Sequence, residues 1–195
     1  MRFRKNLLFI LAAGAASFGP AAAQEFKSEA SVQYFGAFVW GTTAEGVQQS
    51  ATETGGVLAS YRYLINKYGG VEVNYGWAPG TQKYFFANSV TRVRANSDEA
   101  TGALFLRYPG HRVAPFALLG AGALVFDPQI APQTEQARAA FLYGIGADVN
   151  FTHRFFLRAG YRGLVYESPD FNTPHLGPER ITHRAEPSIG FGVRF

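Results

Sequence analysis

From residue 31 onward the chain alternates. Over stretches of about ten residues, apolar or aromatic side chains take every second position, and turn-forming residues separate the stretches. Residues 70–77 are the clearest case. Val71, Val73, Tyr75 and Trp77 share one face, while Glu72, Asn74 and Gly76 share the other. A period of two means that successive side chains point to opposite sides of a β-strand. Residues 31–40 repeat the pattern with Val32, Tyr34, Phe38 and Trp40, and residues 56–63 with Val57, Ala59, Tyr61 and Tyr63. Residues 99–108, 139–149, 155–166 and 184–195 follow suit. Residues 114–126 are apolar on both faces, so alternation does not reveal their register.

These segments predict eight strands. The connections between them alternate in length. Residues 41–54, 78–98, 127–136 and 167–181 read as long loops, rich in Gly, Pro, Asn and Asp, with the alternative that Tyr84–Arg94 extends the flanking strands. The connections around Asn66-Lys67, 109–112 and 150–154 are short. The pattern predicts an all-β fold, an eight-stranded antiparallel up-and-down transmembrane β-barrel, with tight turns at one end and long loops at the other. Charged residues fall on the faces opposite the aromatic stripes. By parity these are Arg62, Glu72, Glu99, Arg107, Asp148, Arg158, Arg162, Arg184, Glu186 and Arg194. An Arg facing lipid at the midplane costs ~2–4 kcal/mol, so these side chains are expected to point into the lumen. An eight-stranded lumen is only wide enough for side chains, and buried charges there must be paired.

The two ends of the chain carry further expectations. Arg2, Arg4 and Lys5 precede a short apolar run, and Ala21-Ala22-Ala23 precede Gln24. Residues 1–23 therefore read as a removable signal peptide, with residues 24–195 as the barrel domain. Removing three basic residues lowers the formal charge of +4 to +1, which leaves little support for nucleic-acid binding. Cysteine is absent, so there is no disulfide framework. Mean hydropathy is near zero (−0.05), as expected where lipid-facing and lumen-facing residues alternate. Residues 187–195 alternate up to a final Phe195.

Ser188, Gly190, Val193 and Phe195 resemble the C-terminal assembly signal of bacterial outer-membrane barrels, although Val193 stands where that signal usually has an aromatic. The mature region as a whole is similar to the eight-stranded outer-membrane protein A/X-type barrel superfamily. The resemblance implies an integral protein of the Gram-negative outer membrane, with surrounding lipids and the barrel assembly machinery as partners. Members include structural barrels, adhesins, small porins and lipid-modifying enzymes, so the fold locates the protein better than it assigns a role. A structural or surface-interaction role is expected, with the lumen plugged by the Arg/carboxylate network and an extracellular ligand possible at the loops. A small anion-preferring porin is the alternative, and a lipid-modifying enzyme the second. Outer-membrane lipid A deacylases pair His and Ser two residues apart on one strand face; here His183 is followed at that spacing by Ala185. His111, His153 and His175 lie in turns or a loop. No catalytic, metal-binding or cofactor-binding set is nominated, and no cofactor is expected. The spacings Gly120-x-Gly122, Gly144-x-Gly146 and Gly190-x-Gly192 lack the helix and acidic residue of a dinucleotide site. Glycine on an inward face instead makes room for large neighbours.

If Phe195 belongs to an assembly signal, deleting it or making Phe195→Asp should cut the amount of barrel in the membrane several-fold. The urea midpoint of the fraction that does assemble should stay near wild type. Normal membrane levels of both variants, measured by quantitative immunoblot, would remove that role.

Overall fold

A computed structural model describes residues 26–39, 42–44, 47–51, 54–86, 89–128, 136–167 and 181–195. The expected signal peptide, Trp40, His175 and most of the loops at 127–136 and 167–181 lie outside the described residues. Ten strands follow in order: β1 (Ser28–Val39), β2 (Thr42–Ala44), β3 (Val47–Ala51), β4 (Thr54–Asn66) and β5 (Gly69–Phe86). Then come β6 (Ser89–Arg107), β7 (Val113–Pro128), β8 (Gln136–Asn150), β9 (Phe155–Glu167) and β10 (Ile181–Arg194). Eight of them close on themselves, each pairing antiparallel with its neighbours in the order β1, β4, β5, β6, β7, β8, β9, β10 and back to β1. Closure removes the unpaired edges that an open sheet would expose, which is what a sheet surrounded by hydrocarbon requires. The last seam is completed by Ser28 and Phe195, whose backbone groups exchange hydrogen bonds of 3.1 and 2.9 Å.

Alternation translates directly into two faces. Leu104 is 67 % exposed, Leu106 71 % and Phe191 70 %, while Arg158 is 2 % exposed and Glu186 is fully enclosed. Val32, Val57, Val73, Leu119, Ile145 and Ile189 continue the apolar outer surface around the barrel. That surface is the inverse of a soluble protein and matches an apolar band facing lipid. Tyr34, Tyr63, Trp77 and Tyr108 are also exposed outside, and such rings favour the headgroup zone. In β7 the face that alternation left open is resolved. Ala114, Phe116, Leu118, Leu124 and Phe126 turn inward, and Leu119 turns outward. Both faces are apolar because this side of the lumen is filled by hydrocarbon rather than charge. Phe116, Leu118, Leu124 and Phe126 join Leu64, Phe105, Leu142, Leu164 and Tyr166 in one buried cluster.

The turns at one end are short and locally specified. Asn66 Oδ1 accepts from the Tyr68 N–H at 2.8 Å, closing the β4–β5 hairpin. Thr152 Oγ1 accepts from the N–H groups of Arg154 and Phe155 at 3.2 and 2.9 Å, shaping the β8–β9 turn. At the other end the structure corrects an expectation. Residues 78–98 are not a long loop. β5 and β6 continue as a ladder from Gly69↔Leu106 to Phe86↔Ser89. The Pro79-Gly80 pair suggested a break, but Pro79 lies where β5 has left β4 and has not yet met β3, so its missing N–H interrupts neither ladder. Farther along, β-favouring residues such as Tyr84, Phe85, Val90 and Val93 continue both strands. Residues 41–54, also read as a loop, contain the β2–β3 hairpin. β3 pairs with β5 from Gln48↔Phe85 to Ala51↔Gln82. A membrane crossing takes roughly 9–11 strand residues. With 18 and 19 residues, β5 and β6 run beyond it and carry a small sheet, β2-β3-β5-β6.

Short turns of outer-membrane barrels face the periplasm. An epitope tag inserted between Phe86 and Ser89 should therefore be labelled on intact cells with the barrel still assembled. A tag at Lys67 should stay hidden until the membrane is permeabilised. Surface labelling at Lys67 with protection at the β5–β6 tip would invert the orientation.

Candidate functional site: a charged lumen

The ten charged residues nominated by parity alternate along their strands with the exposed apolar residues. Arg62, Glu72, Glu99, Asp148, Arg158, Arg162, Arg184 and Glu186 are buried, and Arg107 and Arg194 are partly exposed at the turn end. They form two layers. In the layer nearer the turns, Arg158 holds Asp148 with two parallel bonds, Nε to Oδ1 at 2.7 Å and Nη2 to Oδ2 at 2.9 Å. Its Nη2 also reaches Glu29 Oε2 at 3.1 Å. Arg62 donates through Nε to Glu72 and lies 3.5 Å from Asp148. Arg107 Nη1 and Arg194 Nε converge on Glu29 Oε1 at 2.5 and 2.8 Å. Bidentate guanidinium–carboxylate bonds are among the strongest that side chains make.

The second layer lies higher. Arg162 Nη2 donates to Glu99 and lies 3.4 Å from Glu186. Arg184 Nε lies 2.7 Å from Glu186 Oε1, and its Nη1 donates to Ser97 Oγ at 3.3 Å. This layer is attracted but poorly directed. Arg162 Nε and Nη1, Glu99 Oε2 and both Glu186 oxygens are buried without a well-aligned hydrogen bond to a protein group. Its two Arg and two carboxylates balance. The turn-end layer does not: Arg62, Arg107, Arg158 and Arg194 face Glu29, Glu72 and Asp148.

Two groups of lumen residues were not anticipated. Glu29 is 1 % exposed and accepts from three arginines, yet it precedes the stretch read as the first strand. Continuing the polar parity of Ser31 and Gln33 back by two residues would have reached it. The second group is aromatic. Phe35, Phe105, Phe116 and Phe156 turn inward beside the arginines. The Arg62 guanidinium lies 4.0 and 4.5 Å from the Phe116 and Phe105 ring centres. Phe156 lies beneath Arg158 and Arg194 at 4.9 and 4.6 Å. Cation–π contacts of this kind hold a desolvated guanidinium in place. The inward glycines serve these rings as much as the arginines: a methyl at Gly192 would overlap the Phe156 ring, and one at Gly146 the Phe116 ring.

Of the proposed assembly-signal residues, Ser188 and Gly190 lie on the inward face, where Ser188 Oγ donates to Gln33 Oε1 at 3.0 Å. Val193 and Phe195 lie on the opposite parity, with the Phe195 ring 6.4 Å from Tyr61. His183 is outside the lumen. Its Nε2 pairs with the Tyr143 hydroxyl at 2.6 Å across the outer face. The Tyr143 ring passes over Gly163, where a methyl would collide with it. Position 185, two residues along the same face, is a buried alanine and offers no nucleophile.

With this architecture described, the comparisons agree with it. The sequence profile described as the outer membrane protein beta-barrel domain matches residues 8–195, and the chain belongs to that family. It is an integral outer-membrane barrel. Among solved structures it is similar to the outer membrane protein OprG from Pseudomonas aeruginosa, at 12 % identity and a TM-score of 0.67, covering 88 % of this chain and 97 % of that one. It is also similar to Ail, the attachment invasion locus protein of Yersinia pestis (19 % identity, TM-score 0.56, 88 % and 100 % covered). Neisserial surface protein A is a third (14 % identity, TM-score 0.61, 87 % and 97 % covered). At such identities the likeness concerns the fold. No curated protein matches the sequence.

Arg158 is the most connected cation of the lumen. Arg158→Leu leaves Asp148 and Glu29 short of a buried partner, which should destabilise the barrel by ~3–5 kcal/mol. Urea unfolding in lipid vesicles should show a clearly lower midpoint. An unchanged midpoint would mean that these groups are solvated rather than paired.

Proposed function

We propose that this protein is a closed, non-catalytic barrel of the outer membrane, acting as a structural element and meeting partners at the cell surface through its loop end. The observation that carries the reading is the filling of the lumen. Arg62, Arg158 and Arg162 tie together carboxylates from β1, β5, β6, β8 and β10, and a buried cluster rich in Phe and Leu packs beside them. A pore needs a water-filled path, and paired buried charges packed against rings oppose one. The β2-β3-β5-β6 sheet supports the surface role, because it holds a broad backbone platform beyond the membrane-crossing length. Two residues from His183 on the same face stands Ala185 rather than a serine, which supports a non-catalytic role.

Single-channel recording of refolded protein in planar bilayers tests the reading. Wild type should show no well-defined conductance. Steady anion-selective steps, lost on neutralising Arg158 and Arg162, would replace the closed barrel with the small anion pore. Loss of acyl chains from lipid A on incubation with the purified protein would replace it with an enzyme.

A further inference from the structure

The charge imbalance of the lumen sits at one place. The upper layer is neutral, so the unmatched cation belongs to the turn-end layer, where three arginines share Glu29. Beside them a cavity of about 290 Å³ opens at the turn-end mouth. Arg107 and Arg194 line it, and so do Lys27, Lys67, Asn66 and Asn150. Glu29 is enclosed beneath its arginines, so no carboxylate side chain lines the cavity.

The two guanidiniums are held but not saturated. Arg107 uses Nη1 on Glu29 and Nε on the Lys67 carbonyl at 3.3 Å. Arg194 uses Nε on Glu29 and Nη1 on Asn150 Oδ1 at 2.8 Å. Among the described residues neither Nη2 has a hydrogen-bond partner. Both Arg side chains are fixed by these bonds, since their two donors meet at one Glu29 oxygen. At 14 % and 12 % exposure they are reachable from the cavity and shielded from bulk water. Lys67 and Lys27 add mobile positive charge at the rim. Two oriented guanidiniums with flanking ammonium groups suit a tetrahedral oxyanion carrying one or two charges. The same anion would neutralise the cation excess that a low-dielectric lumen disfavours.

We infer that the turn-end mouth of the barrel is a binding site for a phosphate group, gripped by Arg107 and Arg194 and screened by Lys67 and Lys27. The site goes beyond the closed-barrel reading and does not require the lumen above it to be sealed. The phosphate could come from free inorganic phosphate or from the headgroup of an anionic phospholipid in the adjacent leaflet. Both present the same oxygens.

Calorimetric titration of the refolded protein in a neutral maltoside detergent with inorganic phosphate tests the site. Saturable binding is expected, above that of chloride at matched ionic strength. Arg107→Gln should weaken it at least tenfold, and Lys67→Gln about threefold. Among the described residues the Lys67 ammonium contacts only the face of Tyr68, at 5.0 Å, so Lys67→Gln leaves the lumen network intact even if Arg107→Gln does not refold. A second arm repeats the titration in vesicles of phosphatidylcholine with and without phosphatidylglycerol. A fall in phosphate affinity only when phosphatidylglycerol is present identifies the lipid headgroup as occupant, and equal affinities identify free phosphate. No saturable binding over chloride, or equal binding by wild type and Lys67→Gln, would overturn the proposal.

Discussion

The barrel depends on ion pairs that are also register pairs. Arg62 lies directly opposite Glu72 on β5 and opposite Glu29 on β1. Glu29 in turn lies opposite Arg194 on β10, Arg158 opposite Asp148 on β8, and Arg162 opposite Glu186 on β10. A strand that slipped by one residue would do more than lose a bond. It would turn its whole charged set outward into lipid and its apolar set inward. Apolar side chains on a lipid-facing surface discriminate weakly between neighbouring registers, because lipid tails accept any of them. The lumen charges supply that discrimination. As ion pairs they act at four of the eight seams, β4–β5, β1–β10, β9–β10 and β8–β9, while at β1–β4 Arg62 and Glu29 share a register position and each pairs with other partners. The three seams around β6 and β7 lack such direct charge pairs and have the buried Phe and Leu cluster instead.

The two halves of the interior thus solve the same problem differently. Around β7, hydrocarbon fills the lumen, and β6 and β8 contribute one buried carboxylate each, Glu99 and Asp148. On the β1, β4, β9 and β10 side, arginines reach across the lumen to carboxylates and lie against rings from both halves, Phe35 and Phe156 on their own side and Phe105 and Phe116 opposite. Arg62 contacting both Phe105 and Phe116 joins the two. A guanidinium is suited to this position, since its plane stacks on a ring while its edge donates to carboxylates. Lysine would provide a point charge without the stacking face.

How much of this was legible in the sequence follows from what alternation encodes. Parity is a property of one strand, so the facing of Arg62, Glu72, Arg158 and Arg162 could be read from residues two apart. Pairing is a property of two strands, and nothing local says that Arg62 opposes Glu72 or that Glu29 gathers three arginines. Glu29 was missed because the polar positions around it carry no large apolar neighbour to mark a strand. The β5–β6 extension stayed open as an alternative to a loop because Pro79-Gly80 is a turn signal in isolation. Only the departure of β4 leaves its backbone free to keep a strand conformation there. The facing of β7 was silent for a different reason: a strand between lipid and a hydrocarbon-filled lumen is apolar on both sides.

The ends of the barrel differ in chemistry for reasons that start in the same ladders. At the loop end, β5 and β6 outrun the membrane and continue to pair, so the chain leaves the bilayer as ordered sheet. On the outer face, Tyr143 lies over Gly163 to reach His183, which joins β8 to β10 across β9. At the turn end the strands stop within a few residues of the lumen arginines, and the last carboxylate beneath the mouth is already shared among three cations. The neutral upper layer prevents this positive charge from being balanced from above, because every carboxylate there has its own arginine. The excess can be matched only from the turn side, so the charge order inside the barrel makes its two mouths electrostatically unequal.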